Sequence, residues 1–411
     1  MQNTAETAPD APVDVTPLLD DPHTAYAALR EAGPVHRITG ADGQPAWLVT
    51  RYDDVRRALA DPRLSLDKRH AAPGGFRGFA LPPALDANLL NMDPPDHTRI
   101  RRLVGKAFTP GRVDALRAPV RRIAEELLDA MERRGGPADL IADYAGPLPI
   151  TVICDLLGVP HQDRRDFLAW SDALITPDPT RPELMRQAIG AMLEFYTGLI
   201  AAKRAEPGDD LLSDLVAVRD DTDGSGGAGG GDRLTEDELT SLAFLILFAG
   251  YENTVHLIGN AVLALLDHPE QLQELQRNPA ELPTAVEEFL RYDGPSPLAI
   301  RRFPKEDVEI GGVRIPAGES VLLAIASANR DPARFPDPDR LDRGRELSGH
   351  LALGHGIHYC LGAPLARMET VTALEALLAR FPELRLAVPR GDLRHRPALR
   401  SRGLISLPVA W

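Results

Sequence analysis

The sequence predicts a mainly α protein with a small β region. Three observations carry this. The chain from Thr235 to about Leu266 has no proline and opens on a capping-box signature, Thr235 with Glu238. The 37 prolines and 34 glycines fall mainly between periodic segments, where they act as boundaries. Short β-patterned runs are confined to residues 35–50, 308–324 and the tail.

Each element follows from its local pattern. Residues 1–14 are polar and rich in Ala and Pro, and are expected to be disordered. A helix covers Asp21–Ala32, with Pro22 in its first turn. Strands at Val35–Ile38 and Ala46–Thr50 flank the turn residues Gly40–Gly43, and Asp53–Ala60 is helical. Residues 63–92, with Pro73, Gly74, Gly75, Gly78, Pro82 and Pro83, read as a long loop of the kind that carries function. Three helices are expected from Pro95 to about Leu157, separated near Pro110–Gly111 and Gly135–Pro137. Others cover His161–Ile175, Pro182–Ala205 and Asp209–Val218. Residues 220–232 form a glycine-rich flexible connector. The helix opened by Thr235 would reach about 48 Å. Its middle, Leu242–Ala249, is apolar all round, so it should cross the interior. Helices near 268–277 and 283–292 precede strands at Val308–Ile310, Val313–Ile315 and Ser320–Ala324. A last long helix is expected from Cys360 to Arg380, followed by extended Leu384–Val388 and Leu404–Val409.

Composition narrows the function classes. The chain is 44% apolar and 26% charged, an ordinary globular balance. Its longest fully apolar run, Leu242–Ala249, is too short to span a bilayer. The start carries no basic-then-apolar leader, so a cytoplasmic protein is expected, without membrane partners. A net charge of −14 argues against general nucleic-acid binding. Two cysteines, Cys154 and Cys360, can form neither a disulfide framework nor a four-thiolate metal site.

Residues 353–367, LGHGIHYCLGAPLAR, carry the strongest chemical signal. Gly354, Gly356 and Gly362 bracket Cys360 just ahead of a predicted helix. A helix N-terminus favours a thiolate, and glycines let backbone approach a flat ligand. One thiolate leaves the other metal positions to be filled elsewhere, as a porphyrin fills four. Other readings stand beside this one. A G-x-G-x-x-G nucleotide loop would need glycine where Tyr359 stands. Zinc could use His355, His358 and Cys360, without a fourth ligand. A buried structural thiol is the reading for Cys154 in apolar Ile150–Leu157.

The segment around Cys360 resembles the haem-ligand loop of the cytochrome P450 monooxygenases. The resemblance continues in order over residues 14–411 and is strongest to soluble bacterial members that oxidise macrolides and other natural products. It implies the cytochrome P450 fold, with the long central helix over the haem. It also implies one haem-thiolate domain over residues 15–411, with 220–232 as a loop, and haem b bound axially by Cys360. Glu288 and Arg291 match the family's E-x-x-R and, with Arg340 in PDPDR, imply a network supporting the haem loop. DPPDHTRIRRLVGKAF (93–108) resembles the helix along the haem edge. His97 and Arg101 would bind propionates there, with Arg302 and His358. Ala249, Gly250, Glu252, Asn253 and Thr254 match the oxygen-activation segment. Asn253 stands where threonine is usual. It could order a relay water, yield its role to a substrate hydroxyl, serve a reaction needing less proton delivery, or be a tolerated kink residue.

The implied activity is hydroxylation or epoxidation of a bulky, mostly apolar natural product. A macrolide or other polyketide comes first, a terpenoid or steroid second. Substrate contacts are expected from Leu85, Leu89, Leu90, Phe244, Leu298, Ala299, Ile300 and Leu399. The chain lacks flavin and nicotinamide fingerprints, so electrons would come from a ferredoxin and its reductase. Residues 97–134 hold nine Arg and Lys106 against five acids, a basic region suited to an acidic ferredoxin. A peroxide-driven haem peroxygenase and a non-catalytic haem-binding module are the alternatives. The protein is expected to be a monomer.

Overall fold

The computed structural model describes residues 12–40, 43–76, 82–105, 108–175, 181–220, 233–346 and 348–411. One turn, α1 (Pro17–Asp20), leads into α2 (Pro22–Ala32), β1 (Val35–Thr39), β2 (Pro45–Val49) and α3 (Tyr52–Ala60). Asp21 caps α2 by accepting from the Thr24 N–H at 3.3 Å, beside Pro22 in the first turn. The stretch read as a loop contains β3 (Leu64–Ser65) and the short α4 (Pro83–Asp86). Four helices follow: α5 (Asp96–Gly105), α6 (Pro110–Ala115), α7 (Arg117–Arg134) and, after β4 (Ala138–Asp139), α8 (Pro147–Leu156). Next come α9 (Arg164–Ile175), α10 (Pro182–Ala205), α11 (Leu211–Asp220), α12 (Glu236–Asp267), α13 (Pro269–Arg277) and α14 (Leu282–Asp293). The short strands β5 (Phe303–Pro304), β6 (Val308–Ile310), β7 (Val313–Ile315) and β8 (Val321–Leu323) precede the single turn α15 (Ile325–Ala328). The chain closes with α16 (Ala363–Arg380), β9 (Arg385–Leu386) and β10 (Pro408–Ala410).

Several boundaries differ from the sequence expectation, each for a local reason. Where three helices were expected over 95–157, four α-helices, one π-helical turn and a strand stand: α6 and α7 divide at Leu116, whose N–H bonds the Val113 carbonyl at 3.2 Å. The Gly146 N–H reaches back to the Ile141 carbonyl at 2.8 Å, an i to i−5 closure, and Pro147 then starts a new helix. The last long helix begins at Ala363, because the Cys360 N–H is bonded to the Leu353 carbonyl at 2.8 Å within its loop. The ordered chain reaches into the stretch expected to be disordered. The Val13 N–H donates to the Arg37 carbonyl at 2.7 Å. The glycine-rich stretch 221–232 and residues 1–11 lie outside the described residues.

The mixed sheet is centred on β2, which pairs antiparallel with β1 and parallel with β8. Parallel partners need a crossover, and here α3 to α14 lie between Val49 and Val321. α12 is the spine of the core. Its capping box is complete: Thr235 Oγ1 accepts from the Glu238 N–H at 3.1 Å, and Glu238 accepts from the Thr235 N–H at 2.8 Å. Glu238 also pairs with Arg99, tying α5 to the start of α12. Leu239, Leu242, Leu247, Ile258 and Leu263 are buried in the main apolar cluster. Among the described residues α12 is the one helix long and apolar enough to cross a membrane, and over half of its apolar stretch is packed inside the fold.

One buried charge site yields a stability prediction. Glu369 on α16 is 2% exposed, and burial pushes its carboxyl up to about 8. The folded carboxyl therefore keeps its proton near neutral pH, while the unfolded chain releases its own above about 4.5. Stability falls as pH rises between those two values. Glu369→Gln removes this titration. Urea unfolding at about pH 5 and about pH 8 should show wild type losing a few kcal/mol relative to the variant.

Candidate functional site

The two cysteines separate at once. Cys154 on α8 is 1% exposed, and burial pushes its thiol up to about 12, as expected of a core residue. Cys360 is exposed, on the loop that delivers the chain to α16. Enclosure by its neighbours pushes its thiol up, while a hydrogen bond from the Gly362 N–H and the charges of Arg101 and Arg367 favour the thiolate. Gly356, at φ +75°, faces α3: a Cβ there would lie 3.2 Å from Ala60 Cα. The missing side chain lets the loop seat closely on α3. Gly354 also has a positive φ, at +78°, whereas a Cβ at Gly362 would meet no protein atom within 4 Å.

An ion-pair bracket clamps this loop to α14 and α16. Arg367 grips Glu287 with two bonds, at 2.6 and 2.7 Å, and donates to Tyr359 Oη at 3.1 Å. His350 Nε2 completes the carboxylate at 3.0 Å. Burial acts upward on Glu287, but Arg367 and His350 hold it down at about 2. The sequence reading missed this bracket. Its one signal was the doublet Glu287–Glu288, two neighbouring carboxylates that a helix turns to different partners.

Beside Cys360 stands a group of donors. Arg101 on α5 donates to the Tyr359 carbonyl at 2.6 Å. The rings of His97 and His358 lie 4.2 Å apart. Burial and the charge of Arg101 push His97 down to about 4, while burial, Arg302 and His97 push His358 down to about 3. Burial brings Arg302 to about 10. Asp93 favours the charged forms of these groups, but it is committed to Ser65 at 2.5 Å and Lys305 at 3.0 Å. His97 is 1% exposed and neither ring nitrogen has a protein partner, nor does Arg302 Nε. Such a cluster suits a ligand bearing more than one carboxylate. Arg301, the neighbour that sequence could not separate from Arg302, lies instead 5.8 Å over the Phe76 ring.

Comparison with known proteins identifies the arrangement. A family model described as cytochrome P450 matches residues 165–392. The vitamin D(3) 25-hydroxylase of Pseudonocardia autotrophica is 48% identical over 389 residues, 95% of this chain and 93% of that protein. The mycinamicin IV hydroxylase/epoxidase of Micromonospora griseorubida is 44% identical over 396 residues, 94% of each. The ligand-free structure of the P450 monooxygenase TamI matches at a TM-score of 0.88 and 46% identity, covering 98% of this chain and 94% of that one.

The chain belongs to the cytochrome P450 family.

P450 enzymes are monooxygenases that hold haem iron through a cysteine thiolate. The residues present fit that group. The two nitrogens of His97 and the Nε of Arg302 are buried donors or acceptors that haem propionates would satisfy, and Cys360 offers an accessible thiol beside them. Among the described residues, no three His, Cys, Asp or Glu side chains converge on a metal-sized site.

The E-x-x-R pair of this P450 is formed as expected, but its third member is not Arg340. Glu288 and Arg291 are fully buried and joined by two bonds, at 2.7 and 2.8 Å. The guanidinium of Arg340 turns outward, 68% exposed, to Asp342. Only its carbonyl accepts from Arg291, at 3.3 Å. The side chain that approaches Glu288 is Arg345, at 3.5 Å and 9% exposed, together with the Asp342 N–H at 2.9 Å.

The distal segment on α12 also divides its roles. A Cβ at Gly250 would lie 3.2 Å from Ile153 Cδ1, so this glycine lets α8 pack closely on α12. Thr254 is 3% exposed and donates to the Gly250 carbonyl at 2.9 Å, turned back on its own helix. Asn253 donates to the Ala249 carbonyl at 3.1 Å and accepts from Ser296 Oγ at 3.0 Å. Glu252 bonds His256 Nε2 at 3.2 Å.

The expected substrate contacts split in the same way. Leu85 is 0% exposed, Leu89 4%, Phe244 4% and Leu298 7%. These four fill the core and offer a substrate almost no surface, because the α4 region packs directly on α12 and Leu298 pairs with Ala324. Leu90, Ala299, Ile300 and Leu399 keep partial exposure. Phe248, stacked on Phe244 at 5.7 Å, is 42% exposed although it sits in the middle of the core helix, and Ala249 beside it is exposed as well. These two are the apolar surface of α12 that remains open to a ligand.

Proposed function

We propose that this P450 hydroxylates or epoxidises a bulky, mostly apolar natural product, with a macrolide or related polyketide ahead of a terpenoid or steroid. It does so with dioxygen and electrons from a ferredoxin and its reductase, in one haem-thiolate domain over residues 15–411. The observation that carries the reading is the accessible thiol of Cys360 beside buried, unpartnered His97. The substrate class is supported by relatives named for mycinamicin IV, 6-deoxyerythronolide B and vitamin D(3), and by the open apolar surface at Phe248 and Ala249.

When bound, haem supplies the iron chemistry that activates dioxygen and transfers one oxygen atom. Cys360 would provide the thiolate ligand, while Arg101, Arg302, His97 and His358 would hold the two propionates. Glu252 places a carboxyl group on the distal segment that would pass protons for oxygen activation. Asn253 is fixed by Ser296 and the Ala249 carbonyl, and its second amide N–H orders a water there. Phe248 and Ala249 orient the substrate and exclude water. The test is a panel of macrolactones, terpenoids and steroids with NAD(P)H, ferredoxin and reductase. The expected result is a low-to-high spin shift and a product heavier by one oxygen atom. Full turnover with hydrogen peroxide alone would instead assign a peroxygenase.

The basic region is less open than its composition implies. Arg112 pairs with Asp214, Arg121 with Glu125 at 2.6 Å and Glu375 at 3.1 Å, Arg122 with Glu126 at 2.8 Å, and Arg134 with Asp143 at 2.8 Å. Arg102 is exposed on α5, one residue from the Arg101 that touches the Cys360 loop. Arg102→Glu should therefore slow ferredoxin-driven turnover by about tenfold while peroxide-driven turnover survives. Equal loss in both assays would remove Arg102 from the docking surface.

A further inference from the structure

The geometry points to His256 as a positioning residue for Glu252, holding that carboxylate in place through an imidazole that Gly403 seals from behind. The inference rests on the proposed proton-handling role of Glu252. His256 lies one turn beyond Glu252 on α12 and is 2% exposed, although the helix around it is apolar. A buried polar ring in such a place needs a partner. Its Nε2 has one, Glu252 Oε1 at 3.2 Å. Its Nδ1 is buried and has none. A Cβ at Gly403 would lie only 1.9 Å from that Nδ1, so the α-carbon of Gly403 is what closes this side of the ring.

The seal decides which nitrogen faces the carboxylate as a donor. A proton placed on Nδ1 alone would meet only the Gly403 methylene and leave a buried N–H unpartnered. Nε2 therefore carries a proton and donates it to Glu252. The polar groups beside Gly403 and one turn beyond His256 are committed elsewhere. Arg402 and His23 both bond Asp293, at 3.0 and 3.2 Å, and the Asn260 amide donates to the Asp293 and Arg402 carbonyls at 2.9 Å each. His256 is thus left to Glu252 alone. The carboxylate is held along the helix and cannot wander among rotamers. This role matters more here because residue 253 offers an amide where a hydroxyl is usual, so Glu252 carries more of the proton handling.

Three variants of the haem-loaded enzyme test the inference. His256→Leu keeps the bulk and removes the donor, His256→Gln keeps a donor, and Gly403→Ala drives the ring off Glu252 without altering either residue. Nitrogen-15 histidine labelling of the reduced, carbon-monoxide-bound protein should show a slowly exchanging Nε2–H signal that is absent from H256L and lost in G403A. In H256L and G403A, product formed per NAD(P)H consumed should fall about tenfold with KM unchanged, and H256Q should recover most of it. Wild-type coupling in H256L, or an intact N–H signal in G403A, would overturn the role of His256. The carbon-monoxide band is read on every sample. Its absence from wild type would overturn the haem-thiolate reading itself, whereas its presence with unchanged coupling would overturn only the positioning role.

Discussion

Cys360→Ala should abolish the band at about 450 nm in the reduced carbon-monoxide spectrum, together with monooxygenase turnover. The expectation follows from the different settings of two identical side chains. Cys360 is exposed to an incoming metal, and the Gly362 N–H with Arg101 and Arg367 partly offsets the enclosure that pushes its thiol up. Cys154 is sealed in the core. Cys154→Ala should leave the spectrum unchanged and cost about 1–2 kcal/mol from the small cavity it creates. Survival of the band in C360A, or its loss in a folded C154A, would reverse the assignment. The variant keeps the propionate-binding group of His97, Arg101, Arg302 and His358, so haem content measured alongside should fall less than turnover.

Glu288→Ala should be the most destabilising single substitution in the chain's scaffold, by about 3–5 kcal/mol. Removing the carboxylate leaves the guanidinium of Arg291 buried at 1% exposure with only carbonyl partners, those of Asn329 at 3.0 Å and Pro338 at 2.9 Å among them. Arg345→Ala removes a longer contact, since Glu288 keeps both bonds from Arg291 and the Asp342 N–H. It should cost about 1 kcal/mol. Arg340→Ala touches an exposed pair and should cost less than about 0.5 kcal/mol. Urea unfolding of the three holoenzymes checks the order. A larger loss in R340A than in R345A would return Arg340 to the network.

Much of this protein is legible in its sequence, and the legible parts share a physical cause. Thr235, Glu238 and the proline-free run behind them define α12, because capping and propensity act within one turn. Pro22, Pro182 and Pro269 mark helix starts in the same local way. The order of motifs around Cys360, Glu288 and Ala249 was enough to indicate a haem-binding monooxygenase. What was not legible is which of several similar neighbours reaches a given partner. Arg340, Arg343 and Arg345 lie within six residues, and only packing sends Arg345 to Glu288 while Arg343 goes to Glu274 and Glu281. The apolar character of Leu85, Leu89 and Phe244 predicts burial, but burial in the core and exposure to a substrate demand the same residue types.

The sequence by itself determined the mainly helical fold and set one of its two cysteines in a glycine-bracketed loop ahead of a helix, features that depend on residue identity and short-range spacing. Its resemblance to the cytochrome P450 family implied the side chains that would hold a haem. Only the tertiary structure decided that Gly250 and Gly356 serve packing, that Phe248 is the open aromatic of α12, that Glu287 joins Arg367 and His350 at the thiolate loop, and that Gly403 closes over His256. Apart from the exposure of Phe248, each of these is a contact between segments far apart in the chain. Such contacts are set by how helices and loops fill space against one another, a property that no local pattern of residues encodes.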